Sequence, residues 1–266
     1  GTKNADIIKG DYDFAITNTL DGYKGNDTFY SSKGTDSFIG GLGIDTLDFS
    51  SVDLGNGGNR VIVDLGLLKV SDDGYHNGAT VIEDYVNEVE IIIGTTGDDN
   101  LYGDSNSNTL IGNSGADIIY GREGADSLDG GAGNNTLSFS GATTAITVNL
   151  STATAYDTGD GTDKIINFQN IIGSDLADNL TGEANTNIIK AGQGNDKIFG
   201  MAGSDSLYGE SGNDSITGGA DADTIFGGSG DDSIIASSAS DGVDIIDGYD
   251  IKNINSDGKL QNQLTN

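Results

Sequence analysis

The sequence predicts an all-β solenoid, in which short strands and tight turns stack along one axis. Three observations predict this fold: a nine-residue repeat, glycines at fixed places within it, and one branched aliphatic residue near its end. The densest run, 200–235, reads GMAGSDSLY, GESGNDSIT, GGADADTIF and GGSGDDSII without a gap. Such a period indicates a quasi-one-dimensional stack in which each repeat contacts mainly its neighbours.

The repeats form three arrays separated by two longer segments, which we call interludes. The predicted boundaries are a first array with a degenerate start at 1–48, an interlude at 49–93, a second array at 94–138, a second interlude at 139–172, a third array with a closing turn at 173–251, and a polar tail at 252–266. Because 1–9 already reads as a worn repeat, we expect the chain to be a segment of a longer protein.

The two interludes resemble one another. Each contains a strand with period-two apolarity, at 60–65 and at 145–150, and residues 89–94 align without a gap onto 168–173. The chain therefore contains a larger duplication of array plus interlude. We expect the interludes to be wider strand-bearing coils on the same axis as the arrays. The alternative is a small separate hairpin domain between them.

Each repeat contains a turn followed by a strand. Glycines among the first six residues allow the positive φ values of a tight turn, and the last three residues form a strand whose central side chain faces inward. Nine residues then make half a coil, so that repeats two apart stack on the same side. The expected inward ladder of the third array is Leu180, Ile189, Ile198, Leu207, Ile216, Ile225 and Ile234.

Composition limits the possible functions. The chain of 266 residues has 43 glycines, one histidine and no cysteine, proline or tryptophan, which removes most of the usual catalytic repertoire. His76, in a loop beside Asp72 and Asp73, is interpreted as a solvated residue, although the two aspartates suggest a further calcium site. The net charge of −30 calls for bound cations and disfavours nucleic acid as a partner. No apolar run is long enough for a membrane span.

Aspartate at the sixth place of the repeat is the candidate metal ligand. Stacking brings the carboxylates of repeats two apart together, and carboxylates with backbone carbonyls form the all-oxygen site that Ca²⁺ prefers over the stricter geometry of Mg²⁺. The candidate ligands are Asp27, Asp36, Asp45, Asp99, Asp117, Asp126, Asp178, Asp196, Asp205, Asp214, Asp223 and Asp232. The strongest pairs are Asp27 with Asp45, Asp99 with Asp117, Asp178 with Asp196, Asp196 with Asp214, Asp205 with Asp223, and Asp214 with Asp232.

Not every repeat has aspartate at the sixth place, and an aspartate there has an alternative to binding metal. Asn108, Asn135 and Asn187 replace the aspartate in three repeats, so their sites should be weaker or empty. With these included, we expect roughly six to nine Ca²⁺ ions. The alternative is an Asx-turn, in which the aspartate only accepts hydrogen bonds from its own backbone. Stacked files of carboxylates without counter-ions would however repel one another.

The arrays resemble the RTX calcium-binding nonapeptide repeats, which form a calcium-stabilised parallel β-roll. The resemblance covers about half of the chain and rests on the pattern G-G-x-G-x-D-x-U-x. It implies export from a bacterium by type I secretion and folding coupled to calcium outside the cell. Binding would then supply folding free energy that one buried aliphatic per repeat cannot.

The predicted function is a non-enzymatic, extracellular or cell-surface calcium-binding module that serves as a structural or presentation element. Three alternatives stay open: a subunit that assembles with its own copies into a surface layer or filament, the carrier module of a secreted enzyme acting on polysaccharide or lipid, and an adhesin module that binds cell-surface polysaccharide. Outward aromatic residues at the ninth place of the repeat suit a sugar-stacking platform or ordinary edge packing: Tyr102, Tyr120, Phe199, Tyr208 and Phe226.

Overall fold

The computed structural model describes residues 1–10, 17–30, 35–51, 60–71, 84–157, 161–235, 245–247 and 253–254. Every regular element in these ranges is a β-strand, as the sequence predicts. The chain divides into two compact units, 1–135 and 136–266. Within the described ranges, no helix is long and apolar enough to cross a membrane.

The first unit contains thirteen strands, most of them three residues long. They are β1 (Ile7–Lys9), β2 (Thr19–Asp21), β3 (Thr28–Tyr30), β4 (Ser37–Ile39), β5 (Thr46–Asp48), β6 (Ile62–Asp64), β7 (Lys69–Ser71), β8 (Asp84–Asn87), β9 (Ile91–Ile93), β10 (Asn100–Tyr102), β11 (Thr109–Ile111), β12 (Ile118–Tyr120) and β13 (Ser127–Asp129). The strands form an all-parallel sheet, β1-β3-β5-β9-β11-β13, and a mixed sheet, β2-β4-β8-β7-β6-β10-β12.

The second unit has the same organisation with longer strands in its third array. Its strands are β14 (Thr136–Ser138), β15 (Ile146–Asn149), β16 (Thr154–Asp157), β17 (Gly161–Ile166), β18 (Asn170–Ile172), β19 (Asn179–Thr181), β20 (Ile188–Gln193), β21 (Lys197–Ala202), β22 (Ser206–Ser211), β23 (Ser215–Ala220), β24 (Thr224–Ser229), β25 (Ser233–Ile235), β26 (Ile245–Asp247) and β27 (Asn253–Ile254). The all-parallel sheet is β14-β18-β20-β22-β24-β26, and the mixed sheet is β17-β16-β15-β19-β21-β23-β25-β27.

Successive strands of each array alternate between the two sheets of their unit, so each unit is a parallel β-solenoid. Strand β20 pairs in parallel with β22, and β22 with β24, in a register that joins Ile189 to Leu207 and Leu207 to Ile225. The register confirms that nine residues make half a coil. We call repeats that are stacked in this way, two apart in sequence, side-mates.

The interlude strands join the mixed sheets of the solenoids. In the first unit, β7 lies antiparallel between β6 and β8, whereas β6 pairs in parallel with β10 and β8 with β4. In the second unit, β16 lies antiparallel between β15 and β17 in the same way. The described interlude strands thus share sheets with the arrays, and each interlude reverses one strand instead of forming only wider parallel coils.

The core is the inward ladder of aliphatic side chains. The eighth residue of each repeat is central in its strand and alternation turns it inward, away from solvent. All seven ladder residues predicted for the third array are fully buried, at 0 % exposure: Leu180, Ile189, Ile198, Leu207, Ile216, Ile225 and Ile234. This prediction is confirmed.

Some predictions fall on residues outside the described ranges. They concern His76, Asp72 and Asp73, and most of the predicted closing turn and polar tail.

Candidate metal centre

The candidate aspartates lie inside the solenoids. All twelve predicted ligands are at most 3 % exposed, although each would carry a charge in water at neutral pH. A buried carboxylate is costly unless it is paired with a cation or accepts hydrogen bonds. The partners of each carboxylate oxygen therefore determine what the site can bind.

One oxygen of each carboxylate is held by the neighbouring layer. In all six predicted pairs the backbone N–H of the first aspartate donates to Oδ1 of the second, 18 residues later, at 2.7–3.0 Å. The structure thus brings each predicted pair into direct contact. This hydrogen bond fixes the orientation of the carboxylate and leaves its Oδ2 to face the turn.

In one class of turn, Oδ2 has no hydrogen-bond partner. Among the described residues this holds for Asp27, Asp45, Asp117, Asp196, Asp205, Asp214 and Asp232. The second residue of each of these repeats has a left-handed backbone. Its φ is 67–85° at the four residues other than glycine, Tyr23, Asn113, Met201 and Glu210, and the other three are Gly41, Gly192 and Gly228. We call the turns of these seven repeats open turns.

The first glycine of an open turn makes room for oxygen atoms. A Cβ added to Gly209 would collide with Oδ2 of Asp214 and with the carbonyl oxygen of Gly227, which belongs to the side-mate repeat. The same pair of oxygens surrounds Gly200, where they come from Asp205 and Gly218. A carboxylate oxygen without a donor and a backbone carbonyl thus face the same space.

In a second class of turn, the protein itself satisfies the carboxylate. Thr95 donates to Oδ2 of Asp99 from its backbone N–H at 2.6 Å, and to Oδ1 from its hydroxyl at 2.9 Å. Ser174 makes the same bonds to Asp178, at 2.7 and 2.8 Å. Here the Asx-turn arrangement holds, although both aspartates are among the predicted ligands.

Two of the three asparagine repeats share this second geometry, whereas in the repeat of Asn135 the second residue, Gly131, is left-handed with a φ of 77°. Asp104 N–H donates to Oδ1 of Asn108, and Glu183 N–H to Oδ1 of Asn187, both at 2.8 Å. We call the turns of repeats 94–102, 103–111, 173–181 and 182–190 closed turns. They are the first two repeats after each interlude.

Burial raises the pKa of several carboxyl groups in each class. The pKa reaches about 7 at Asp117, Asp196 and Asp205, and about 6 at Asp99 and Asp214. Loss of hydration is the largest cause in every case, and the backbone N–H bond to Oδ1 lowers the pKa only part of the way back. A cation beside the Oδ2 atoms would favour the ionised form instead.

Two acidic residues in the stacked files were not predicted as ligands. Asp36 N–H donates to Oδ1 of Asp84 at 2.7 Å, and Asp45 N–H donates to Oε2 of Glu90 at 2.8 Å. Each acid stands two residues before a buried aliphatic, as the sixth place of a repeat does, but no glycine lies in the five residues before it. The signal that would have found them is the tripeptide of acid, any residue and aliphatic, as in Asp84 to Val86.

Asp36 and Asp126 differ from the paired candidates. Asp36 has the interlude residue Asp84 as its neighbour, and Asp126 accepts a 2.8 Å hydrogen bond from the N–H of Asn108. Neither Asp36 nor Asp126 belongs to one of the six predicted pairs.

The donor set of the open turns fits a hard cation. Within the described ranges, no three histidine, cysteine or acidic side chains converge on one point. Two carboxylates per site must therefore be completed by backbone carbonyls, such as that of Gly227. Oxygen-only sites of this composition suit Ca²⁺, which accepts six to eight oxygen ligands.

A family model described as RTX calcium-binding nonapeptide repeat, in four copies, matches residues 15–47, 87–113, 102–137, 172–207 and 199–234. Together these matches cover more than half of the chain. No curated protein matches it in a sequence comparison.

Proposed function

Because the chain belongs to the family of RTX calcium-binding nonapeptide-repeat proteins, and is therefore a calcium-binding module, we propose that it is an extracellular structural or presentation element that becomes rigid when calcium fills its open turns. The observation that carries this proposal is the row of buried Oδ2 atoms without hydrogen-bond partners among the described residues. Such atoms are costly in a folded protein unless a cation accepts their charge.

We assign the strongest sites to side-mates that both have open turns. These pairs are Asp27 with Asp45, Asp196 with Asp214, and Asp214 with Asp232. Asp205 with Asp223 is the fourth, because the turn of Asp205 is open and the second residue of the Asp223 repeat, Gly219, is left-handed with a φ of 119°. The pairs that begin at Asp99 and Asp178 are weaker sites, since the donors of Thr95 and Ser174 already hold one of their two carboxylates.

Metal binding and folding are coupled in this proposal. Before the coils stack, the two carboxylates of a site are not near one another, so the free energy of binding Ca²⁺ contributes to the free energy of folding. Extracellular calcium modules bind with dissociation constants of about 10⁻⁴ to 10⁻³ M. The chain would therefore be largely unfolded where calcium is scarce and rigid outside the cell.

The proposal also assigns the chain a structural role outside the cell. The roll is a structural fold, and the acids at its sixth positions are committed to stacking, so we assign the chain no catalysis of its own. Assembly into a surface layer and service as the carrier of an enzyme stay predictions. Both roles require that calcium first makes the solenoid rigid.

The test is a calcium titration of the whole chain at neutral pH, followed by far-ultraviolet circular dichroism and by calorimetry. We expect the strand signal to be low in excess chelator and to rise with calcium. The heat of binding should saturate over the same range. A strand signal that is the same in chelator and in millimolar calcium would contradict the coupling.

A further inference from the structure

A carbonyl oxygen at the start of the second array is bound by an arginine. In the open turns the carbonyl of the first glycine of a repeat, such as Gly227, shares its space with the Oδ2 of an aspartate in the preceding side-mate. The layer before Gly103 is different, because β10 there pairs with the interlude strand β6. Arg122 Nη1 donates to the Gly103 carbonyl at 2.6 Å. A side chain of the protein thus binds this oxygen.

The same guanidinium holds a carboxylate of the interlude. Its Nη1 and Nη2 donate to Oδ1 and Oδ2 of Asp64 at 2.6 and 2.8 Å, which makes the pair bidentate. The side chains of Arg122 and Asp64 are only 28 % and 15 % exposed, so solvent screens the pair weakly. The guanidinium carbon also lies 5.8 Å from the centroid of the Tyr102 ring, a cation–π distance. A carboxylate and a first-glycine carbonyl, the kinds of oxygen found in an open turn, here surround a guanidinium.

Arg122 reaches across a layer of the solenoid. Strands β6, β10 and β12 are successive neighbours in one sheet, and Arg122 follows β12 whereas Asp64 ends β6. Gly66 leaves room for the guanidinium, because a Cβ at this residue would collide with Nη1. Asn113, the second residue of the preceding repeat, likewise donates from Nδ2 to the Gly94 carbonyl at 2.7 Å. Both closed turns of the first unit are thus tied to the following layer by a side chain.

The second unit has exchanged all three members of this arrangement. When the two units are aligned by their duplication, the residues in place of Asp64, Gly66 and Arg122 are Asn149, Ser151 and Met201. Ser151 Oγ donates at 2.9 Å to the carbonyl of Gly182, which is the equivalent of Gly103. The same carbonyl therefore has a protein donor in both units, and the charged donor occurs together with the charged acceptor.

We propose that Arg122 is a built-in cation that takes the place of Ca²⁺ where the second array leaves the first interlude. Its guanidinium neutralises Asp64 and satisfies the Gly103 carbonyl, so that the layers of this junction stay stacked without metal. This inference rests on the proposed coupling of folding to calcium, because it names a part of the first unit that is exempt from it. Arg122 is a positioning residue, which holds the array to the interlude.

The test is hydrogen exchange by mass spectrometry on the whole chain in excess chelator. Arg122→Met introduces the residue that the second unit has at the equivalent place. We expect protection of the amides of 94–111 to fall about tenfold or more, the loss expected for hydrogen bonds to a charged group, and protection of 173–190 to stay unchanged. Lys164→Met is the matched control, because it removes the same charge from an exposed strand position. It should change neither region.

Two further variants separate the contacts of Arg122 from mere packing. The triple variant Asp64→Asn, Gly66→Ser and Arg122→Met copies the second unit, and it should regain most of the protection of 94–111, because a hydroxyl group can then donate to the Gly103 carbonyl. Calcium should restore protection more in Arg122→Met than in Arg122→Met with Asp64→Asn, because only the single variant offers Ca²⁺ a carboxylate at this place.

Four results would overturn the proposal: unchanged protection of 94–111 in Arg122→Met, an equal loss in Lys164→Met, no recovery in the triple variant, or an equal gain from calcium with and without the Asp64 carboxylate. Circular dichroism of the unsubstituted chain in chelator and in calcium tests the coupling of folding to calcium separately. Failure of this inference is therefore distinguishable from failure of the proposed function.

Discussion

The closed turns beside the interludes and the open turns farther along the arrays use one repeat in two ways. In the closed turn of 173–181, Ser174 donates to both oxygens of Asp178. In the open turn of 209–217, Glu210 has a φ of 72°, and Asp214 keeps an Oδ2 without a partner among the described residues. The conformation of the second residue thus decides whether the carboxylate is satisfied by the protein.

The difference indicates where calcium is needed. Closed turns can form with protein donors alone, and they lie where each array leaves its interlude. Open turns have the same glycines and aliphatic residues but an incomplete set of partners. We therefore expect the folded solenoid to depend on calcium locally, most strongly in 191–235.

The largest effect should follow removal of calcium. In excess chelator, amides of 200–235 should lose most of their protection from hydrogen exchange, because their open turns lose the cation that satisfies Oδ2. Amides of 94–111 and 173–190 should retain more, because their turns are closed. Exchange followed by mass spectrometry measures both regions in one sample. Equal loss in both would contradict the distinction between the turns.

The second largest effect should be a shift in the calcium midpoint, which differs between the same substitution at Asp214 and at Asp178. Asp214 is shared by two proposed sites, whereas Asp178 belongs to one and is already held by Ser174. Asp214→Asn should raise the midpoint of the calcium titration about tenfold, since each site loses a charged ligand. Asp178→Asn should change it much less. Calorimetry should also count fewer ions for Asp214→Asn only.

Much of this comparison could not be predicted from the sequence. The period of nine fixed the side-mates, the inward ladder and the contact of all six aspartate pairs, since these depend only on stacking. The two classes of turn depend on whether Thr95 or Ser174 turns its N–H and hydroxyl toward the aspartate. That choice is made by backbone conformation, and residue type at the second place does not settle it: glutamate stands there in an open turn, at Glu210, and in a closed turn, at Glu183.

The interludes show a similar limit. Alternating apolarity predicted the strands near 62 and 146, but it carries no information on strand direction. The reversal of β7 and β16 follows from turns between interlude strands. Asp84 and Glu90 were missed because no glycine lies in the five residues before either of them, although each stands two residues before a buried aliphatic.

Acid should partly replace calcium in the open turns. The pKa of Asp196 and Asp205 is raised to about 7 in the folded chain without metal, while an unfolded aspartate has a pKa of about 3.9. The folded state therefore binds more protons, so these groups favour folding fully below about pH 4 and lose that contribution as the pH rises through about 7. In chelator, the strand signal by circular dichroism should be larger at pH 5 than at pH 8.

In calcium the dependence should reverse, because the ligands bind metal in their ionised form. The midpoint of the calcium titration should fall to lower calcium as the pH rises from 5 to 8. A midpoint that does not move over this range would show that the buried carboxylates are not the ligands.

The smallest effect concerns the hydroxyl group of a closed turn. Ser174→Ala removes the hydroxyl bonds to Asp178 and the bond that Leu176 N–H donates to Ser174 Oγ at 3.1 Å. We expect a loss of about 1 kcal/mol in the free energy of unfolding measured by denaturant in calcium. The calcium midpoint should stay nearly constant, since this turn does not rely on metal. Ser215→Ala, on an exposed strand position, is the control and should change neither quantity. If Ser174→Ala shifted the calcium midpoint as much as Asp214→Asn does, closed turns would bind calcium as open turns do.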